Sequence, residues 1–353
     1  MRFLVIQQKM IGDVLASTVI CEGLKHFFPK ATVHFVANEN TLAVLQGNPF
    51  IDEIVVFKNE YRNSKRLFYR FLKTFNATEY TAVLDAYGKL ESNLITMFSK
   101  SKKKIGRYKW YTSLIYTNHV RQNQNIKNEL PLSISNRLML MKPLIDDDSF
   151  VTYPKIYLSE QELEKASETV SKSSVSKGRK LIMVSILGSS PPKSYPTDYM
   201  ASVLDLICEN RQINLLFNYQ PEQKEDALAI FKMCSPMTQK CIVLDCYATS
   251  LRGFLGILAQ CDLLIGNEGG AVNMAKALDI PSFCIFSPFI KKEGWHGKIH
   301  RTHVGVHLRD YHPELLATMT RKELKKKSPE LYRVFKPQLF KRALLDFLRD
   351  SKV

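Results

Sequence analysis

Short β-rich runs separated by helical or loop spacers fill the first half of this chain: RFLVIQ, ATVHFVA, DEIVVF and TAVLDAY. The same rhythm restarts near residue 180 with KLIMVSILG, INLLFNY, CIVLD, DLLIGN and SFCIFS, again alternating with helical spacers. Strand–helix alternation of this kind is the signature of parallel sheets built from βαβ units. Between the two series, SEQELEKASETVSKSSVSKGRK begins as a polar helix and degrades into Ser/Lys-rich sequence, the composition of a connector. A chain of 353 residues also exceeds the length at which one core divides into two. The expected organisation is an α/β domain over 1–160, a linker over 161–178, a second α/β domain over 179–325 and a basic helical tail over 326–353.

Composition narrows the setting. The 7 cysteines are odd in number, form no CxxC pair and sit mostly in apolar contexts, which implies free thiols and no disulfide or zinc framework. The apolar run after the first arginine, Phe3 to Ile6, is too short for a signal-peptide core, and no segment approaches membrane-spanning length, so a cytoplasmic protein is expected. A formal net charge of +16 predicts attraction to something polyanionic: nucleic acid, an anionic membrane face or a phosphorylated substrate.

Three strand-to-helix turns carry chemistry. In VIQQKMIGDVLAST, Gly12 stands alone, so the three-glycine dinucleotide fingerprint is absent. What remains is a carboxylate, Asp13, at the mouth of a parallel sheet, fit to cap a helix beginning at Val14, to act as a base, or both. In ILGSSPPKSYP, the strand ends in Gly188, Ser189 and Ser190 before Lys193. Small hydroxylated residues with one mobile cation suit a phosphate, and a Pro-rich loop with a solvated lysine is the plain alternative. In DLLIGNEGGAVNMAKAL, an apolar strand meets Asn267, Glu268, Gly269 and Gly270 before an amphipathic helix. Glycines there uncover backbone N–H groups at a helix N-terminus for an anion, while Glu268 would point past that anion to neutral hydroxyls, as a carboxylate gripping a sugar does.

At these turns the sequence resembles the bacterial lipopolysaccharide heptosyltransferases of glycosyltransferase family nine. MIGDVLAST is similar to the family's opening G-D loop. NPFIDEIVVF, YTAVLDAYGKLESN and KKKIGRY follow in the family's order, PPKSYP is similar to its K-x-W-P element and TSLRGF to a helix start. GNEGGAVNMAKALDIP is similar to its N-D-S-G-x-x-H signature. The resemblance covers nearly the whole chain. It implies a GT-B arrangement, two Rossmann-like domains with parallel sheets facing across a cleft, with the last helix often returning to the first domain.

That resemblance implies an inverting, metal-independent transfer of heptose or a related sugar from a nucleotide diphosphate donor, ADP-heptose first, to an anionic glycolipid of the lipopolysaccharide core. No cofactor is implied. Asp13 becomes the general base and Lys193 the diphosphate contact. Gly188, Ser189, Ser190, Asn267, Glu268, Gly269, Gly270 and Asn273 fall on the donor side; Gly12, Lys89, Arg62 and Arg66 fall on the acceptor side. Glu268 stands where the family usually has Asp, Gly269 where it has Ser or Thr, Asn273 where it has His, and Tyr195 where it has Trp.

Other features are read from the residues themselves. PEQKEDALAIF follows a second-domain strand, where Glu222 or Glu225 can hold a ribose or lie on a solvated helix start. His296, His300, His303, His307 and His312 invite a metal reading, but no HExxH or cysteine partner accompanies them, and Trp295 or a histidine can instead stack on a donor base. Basic residues gather at Arg62, Lys65, Arg66 and Arg70, at Lys100–Lys104 with Arg107 and Lys109, and in the tail. They suit a phosphorylated glycolipid and peripheral contact with the inner membrane face. A nucleic-acid binder would share the charge but shows no RNP, KH or helix-turn-helix pattern, and a nucleotide-sugar epimerase would share the two-domain architecture.

Overall fold

The computed structural model describes residues 1–126, 129–147, 149–297 and 302–353. It divides into two compact units, Met1–Tyr157 and Leu158–Val353.

The first unit holds β1 (Arg2–Ile6), β2 (Thr32–Asn38), β3 (Glu53–Phe57), β4 (Ala82–Asp85), β5 (Lys103–Arg107) and β6 (Asn118–Val120) in the order β3-β2-β1-β4-β5-β6. Every adjacent pair is parallel. With helices on both faces, the central strands read as continuous apolar runs. Leu4, Val5 and Ile6 of β1 and Val83 and Leu84 of β4 are wholly buried, and Phe57, Phe71 and Phe75 extend the core.

The second unit repeats the plan. β7 (Lys180–Ser185), β8 (Ile213–Asn218), β9 (Ile242–Val243), β10 (Leu263–Asn267), β11 (Ser282–Ile285) and β12 (His303–Val306) lie in the order β12-β11-β10-β7-β8-β9, also wholly parallel. Counted from its own first strand, each sheet therefore runs 3-2-1-4-5-6, the doubly wound Rossmann order. In such sheets the strand order reverses between the first and fourth strands, and ligands bind outside the carboxyl ends there. The switch points are β1/β4 and β7/β10.

The connector is more ordered than its composition suggests. Ser159 opens a helix, Glu160–Lys172, with a reciprocal capping box to Glu162. Glu162 grips Arg252 through two hydrogen bonds, one of 2.6 Å to Nε and a second to Nη2. The tail differs from the expectation that it packs on the first domain. Phe340, Leu344, Phe347 and Leu348 of the helix Pro337–Asp350 are buried in the second unit's core, with Phe347 5.7 Å from Phe283. Tyr195 fastens that tail, donating its hydroxyl to the Phe335 carbonyl, so its aromatic ring is structural. All seven cysteines are buried free thiols. Among the described residues no helix is long and apolar enough to cross a membrane.

Candidate active site

The first unit's switch point opens on the turn Gln7–Met10. Asn38 N–H donates to the Gln8 carbonyl at 3.0 Å, which ties the turn to β2. Met10 sits at a left-handed φ of 65° and is largely exposed. The helix that follows spans Ile11–Phe27, beginning before Val14, and its N-cap residue is Met10, with no side-chain cap. Asp13 therefore lies inside the first helical turn, and the cap expected of it is corrected. Its carboxylate is engaged otherwise: Arg137 Nη2 donates to Asp13 Oδ1 at 2.7 Å. The same guanidinium donates from Nε to Ser17 Oγ at 2.7 Å and from Nη1 to the Ser133 carbonyl at 2.6 Å. Three hydrogen bonds fix the fork, so the carboxylate it grips is oriented too. Among the described residues Asp13 Oδ2 has no hydrogen-bond partner, and the side chain remains 35% exposed.

Asp13 lines a cavity of about 370 Å³ together with Gln7, Lys9, Asp85, Lys89 and Arg107. Asp85 ends β4 and is fully buried. Its Oδ1 accepts N–H groups from Tyr87 at 3.0 Å and Gly88 at 2.8 Å, and its Oδ2 accepts the Tyr116 hydroxyl at 2.8 Å. Burial pushes the Asp85 carboxyl above the usual range, against the lowering pull of these donors. Asp85 thus shapes the turn that presents Lys89. Of the four residues expected on the acceptor side, Lys89 lines the cavity and Gly12 adjoins Asp13. Arg62 and Arg66 do not line it. Arg62 pairs with Glu91 at 3.2 Å, and Arg66 is exposed on the helix Lys65–Ala77.

At the second unit's switch point, glycine brings backbones together. A Cβ on Gly266 would lie 2.3 Å from the Ser185 carbonyl oxygen, and one on Gly188 would lie 2.3 Å from that of Lys193. Gly188 donates to Ser194 Oγ at 3.0 Å and accepts from Gln223 Nε2 at 2.8 Å. This folded loop carries Ser189, exposed, and Ser190, half-buried, and presents Lys193. Lys193 Nζ lies 3.0 Å from Glu268 Oε1, yet out of line for a hydrogen bond, so the attraction is Coulombic. Glu268 is only 8% exposed through its side chain. Beyond it the helix Gly270–Ala277 begins with Gly269 at its N-cap and no side-chain cap, leaving first-turn N–H groups for an anion. Asn273 is half-buried in that first turn.

Asn267 proves to be a staple. Its Nδ2 donates to the carbonyls of Ser185 (3.0 Å) and Ile186 (2.9 Å), and its Oδ1 accepts the Tyr195 N–H (2.7 Å). Wholly buried, it offers nothing to a donor, which corrects its expected contact, but it locks the two turns to each other. Glu222 and Glu225 are exposed at the helix start after β8, where the neighbouring Gln223 makes the contact to Gly188. The histidines are engaged one by one: His303 with Ser282 at 3.1 Å, His307 with the Arg309 N–H at 2.9 Å, and His312 with Glu314 at 3.1 Å. Burial pushes His307 below its ordinary pKa. His296 lies close against Gly305 and makes a further interaction; His300 is outside the described residues. Trp295 is half-buried and its carbonyl accepts from Lys276 Nζ at 2.8 Å. Among the described residues no three His, Cys, Asp or Glu side chains are grouped to hold a metal.

Residues 68–309 match the family model of glycosyltransferase family 9 (heptosyltransferase). The chain belongs to glycosyltransferase family 9. This glycosyltransferase is 21% identical over 292 residues to lipopolysaccharide heptosyltransferase 1 of Campylobacter coli, covering 81% of this chain and 84% of that one. It is likewise 21% identical to lipooligosaccharide heptosyltransferase 2 of Haemophilus ducreyi over 293 residues, 80% and 81% of the two chains. Among solved structures, a family 9 glycosyl transferase from Veillonella parvula superposes with a TM-score of 0.72 at 16% identity, covering 94% of this chain and 97% of that one. An E. coli heptosyltransferase determined with ADP superposes at 0.69 and 17%, covering 99% and 100%. The enzyme therefore has the GT-B type of fold, two Rossmann-like units with parallel sheets, and its class is settled as transferase over the epimerase and nucleic-acid alternatives.

Sequence reading missed Arg137, Asp85 and Gln223. Asp85 alone left a local signal, an acid closing an apolar strand in TAVLD.

Proposed function

We propose that this glycosyltransferase is an inverting enzyme that uses Asp13 as general base and Lys193, with the N-terminus of the helix Gly270–Ala277, to stabilise a departing nucleoside diphosphate. The observation that carries the reading is the contrast between switch points: a carboxylate with one free oxygen after β1, a lysine and an uncapped glycine N-terminus after β7 and β10. In an inverting displacement the acceptor hydroxyl loses a proton as it attacks the anomeric carbon, while negative charge grows on the leaving diphosphate. Asp13 Oδ2 takes the proton, and Arg137 holds the carboxylate still. Lys193 supplies positive charge that other transferases draw from a metal, which makes the reaction metal-independent in this reading. Ser189, Ser190, Gly188, Gly269 and Asn273 border the donor, and Glu268 meets its sugar hydroxyls.

The relatives are heptosyltransferases, and one solved neighbour was determined with ADP, which supports ADP-heptose or a closely related ADP-sugar as donor. The acceptor in this reading is an anionic glycolipid of the lipopolysaccharide core, reached from the cytoplasm at the inner membrane face, with Lys89 and Gly12 on its side. Calorimetric titration with ADP-, GDP- and UDP-sugars tests the donor. Tight binding of ADP-sugars alone, lost in Lys193→Ala, is expected; preference for GDP or UDP would overturn the assignment.

A further inference from the structure

The carboxyl edge of the first sheet carries an inverted surface. In the segment joining β5 to β6, the polar Thr112 is fully buried while Trp110 is 80% exposed and Leu114 fully exposed. Tyr108 and Tyr111 are exposed as well. The display is held from beneath. Thr112 Oγ1 donates to the Lys109 carbonyl at 3.0 Å, and Lys109 Nζ donates to the Gly88 carbonyl at 2.5 Å. The buried ring of Tyr116 lies where a Cβ on Gly106 would be, 2.4 Å from it, and its hydroxyl bonds Asp85. Because all six strands are parallel, Met10 after β1 and Leu90 after β4, both exposed, lie on this same edge.

Cations alternate with these apolar groups: Arg107 ends β5, and Lys9, Lys89, Lys109 and Arg121 follow the carboxyl ends of β1, β4, β5 and β6. The acids nearby are withdrawn, Asp13 to Arg137, Asp85 into the core and Glu91 to Arg62. Exposed Trp, Tyr and Leu interleaved with Lys and Arg form a surface suited to the headgroup boundary of an anionic bilayer, where amphipathic rings insert and cations meet phosphate.

We propose that the Tyr108–Leu114 segment, with Met10 and Leu90, is a membrane-docking surface that inserts into an anionic lipid bilayer beside the Asp13 cavity. The inference rests on the reading of the acceptor as a membrane glycolipid and deepens it. Docking at this edge places the lipid anchor of the acceptor next to the base.

The test uses the full chain and vesicles containing no acceptor. The chain has 2 tryptophans, so Trp295→Phe leaves Trp110 as the sole tryptophan, read with excitation selective for indole. Its emission should shift to the blue on phosphatidylethanolamine–phosphatidylglycerol vesicles, be quenched by brominated lipid, and stay unchanged on phosphatidylcholine. In the wild-type background, Trp110→Ser and Leu114→Ser should each weaken vesicle co-sedimentation about tenfold, while turnover on a lipid-free oligosaccharide acceptor is retained. Absence of the blue shift, or unaltered sedimentation of both variants, would overturn the surface. Continued transfer to the soluble acceptor in that case would leave the proposed reaction standing, whereas failure on the soluble acceptor with intact vesicle binding would strike the reaction alone.

Discussion

The two units share one strand order and differ at the same address. After β1 the switch point is built from Gln7 to Met10, borders a cavity of about 370 Å³ and displays a carboxylate steadied by a guanidinium. After β7 and β10 it is tight, with Gly188 and Gly266 pressing backbones together, and it displays a lysine and a helix N-terminus. One fold supplies two addresses; in the proposed mechanism side chains decide that one removes a proton and the other receives a diphosphate. A carboxylate after β10 does appear, Glu268, but Lys193 is its neighbour and solvent is nearly excluded.

The comparison can be broken at several points. The largest effect is expected for Lys193→Ala, which should lower turnover by at least about a hundredfold, since it removes the charge proposed to meet the leaving group; steady-state kinetics with a soluble acceptor would check it. Next comes the packing that makes the second switch point tight. Gly266→Ala places a methyl against the Ser185 carbonyl at a φ of 132° and should destabilise the protein by about 2–4 kcal/mol. Gly270→Ala meets nothing nearer than Met274 Cε at 3.9 Å, so calorimetry should find stability within about 0.5 kcal/mol of wild type. Donor affinity should fall in that second variant, because the new methyl shields the helix N-terminus.

At the first switch point, Arg137→Lys keeps a charge but loses the fork, and should lower kcat about tenfold with donor KM little changed. The smallest effect concerns the connector. Hydrogen bonding to Arg252 lowers the pKa of Glu162 from 4.5 to about 2. Its contribution is therefore complete above pH 4.5 and lost as pH falls toward about 2. With side chains 16% and 26% exposed the pair is partly screened by solvent, so Glu162→Gln should lower stability at neutral pH by about 1 kcal/mol. Acid unfolding of the variant should be less steep in that window.

Much of this was legible in the sequence, and the exceptions share physical causes. All nine apolar runs named at the outset became strands, because burial on both faces demands continuous hydrophobicity. β5 and β6 escaped notice: β5 opens with two lysines, and β6 has three residues at a sheet edge where the apolar pattern is weak. The turns around Asp13, Lys193 and Glu268 stand out as candidates because their chemistry is contiguous in sequence. Arg137 could not, since 124 residues separate it from Asp13 and an ordinary helical arginine carries no local mark. Asn267 misled for the opposite reason. It stands beside the glycines in sequence, but strand alternation turns it inward, where backbone carbonyls consume its amide.

The division of labour is tested most directly by measuring donor affinity and single-turnover transfer side by side in Asp13→Asn. Donor dissociation constant should equal that of wild type while the transfer step slows by at least about a hundredfold, because the base acts on the acceptor alone. Transfer at the wild-type rate in the folded variant, or a loss of donor binding as large as that of Lys193→Ala, would contradict it.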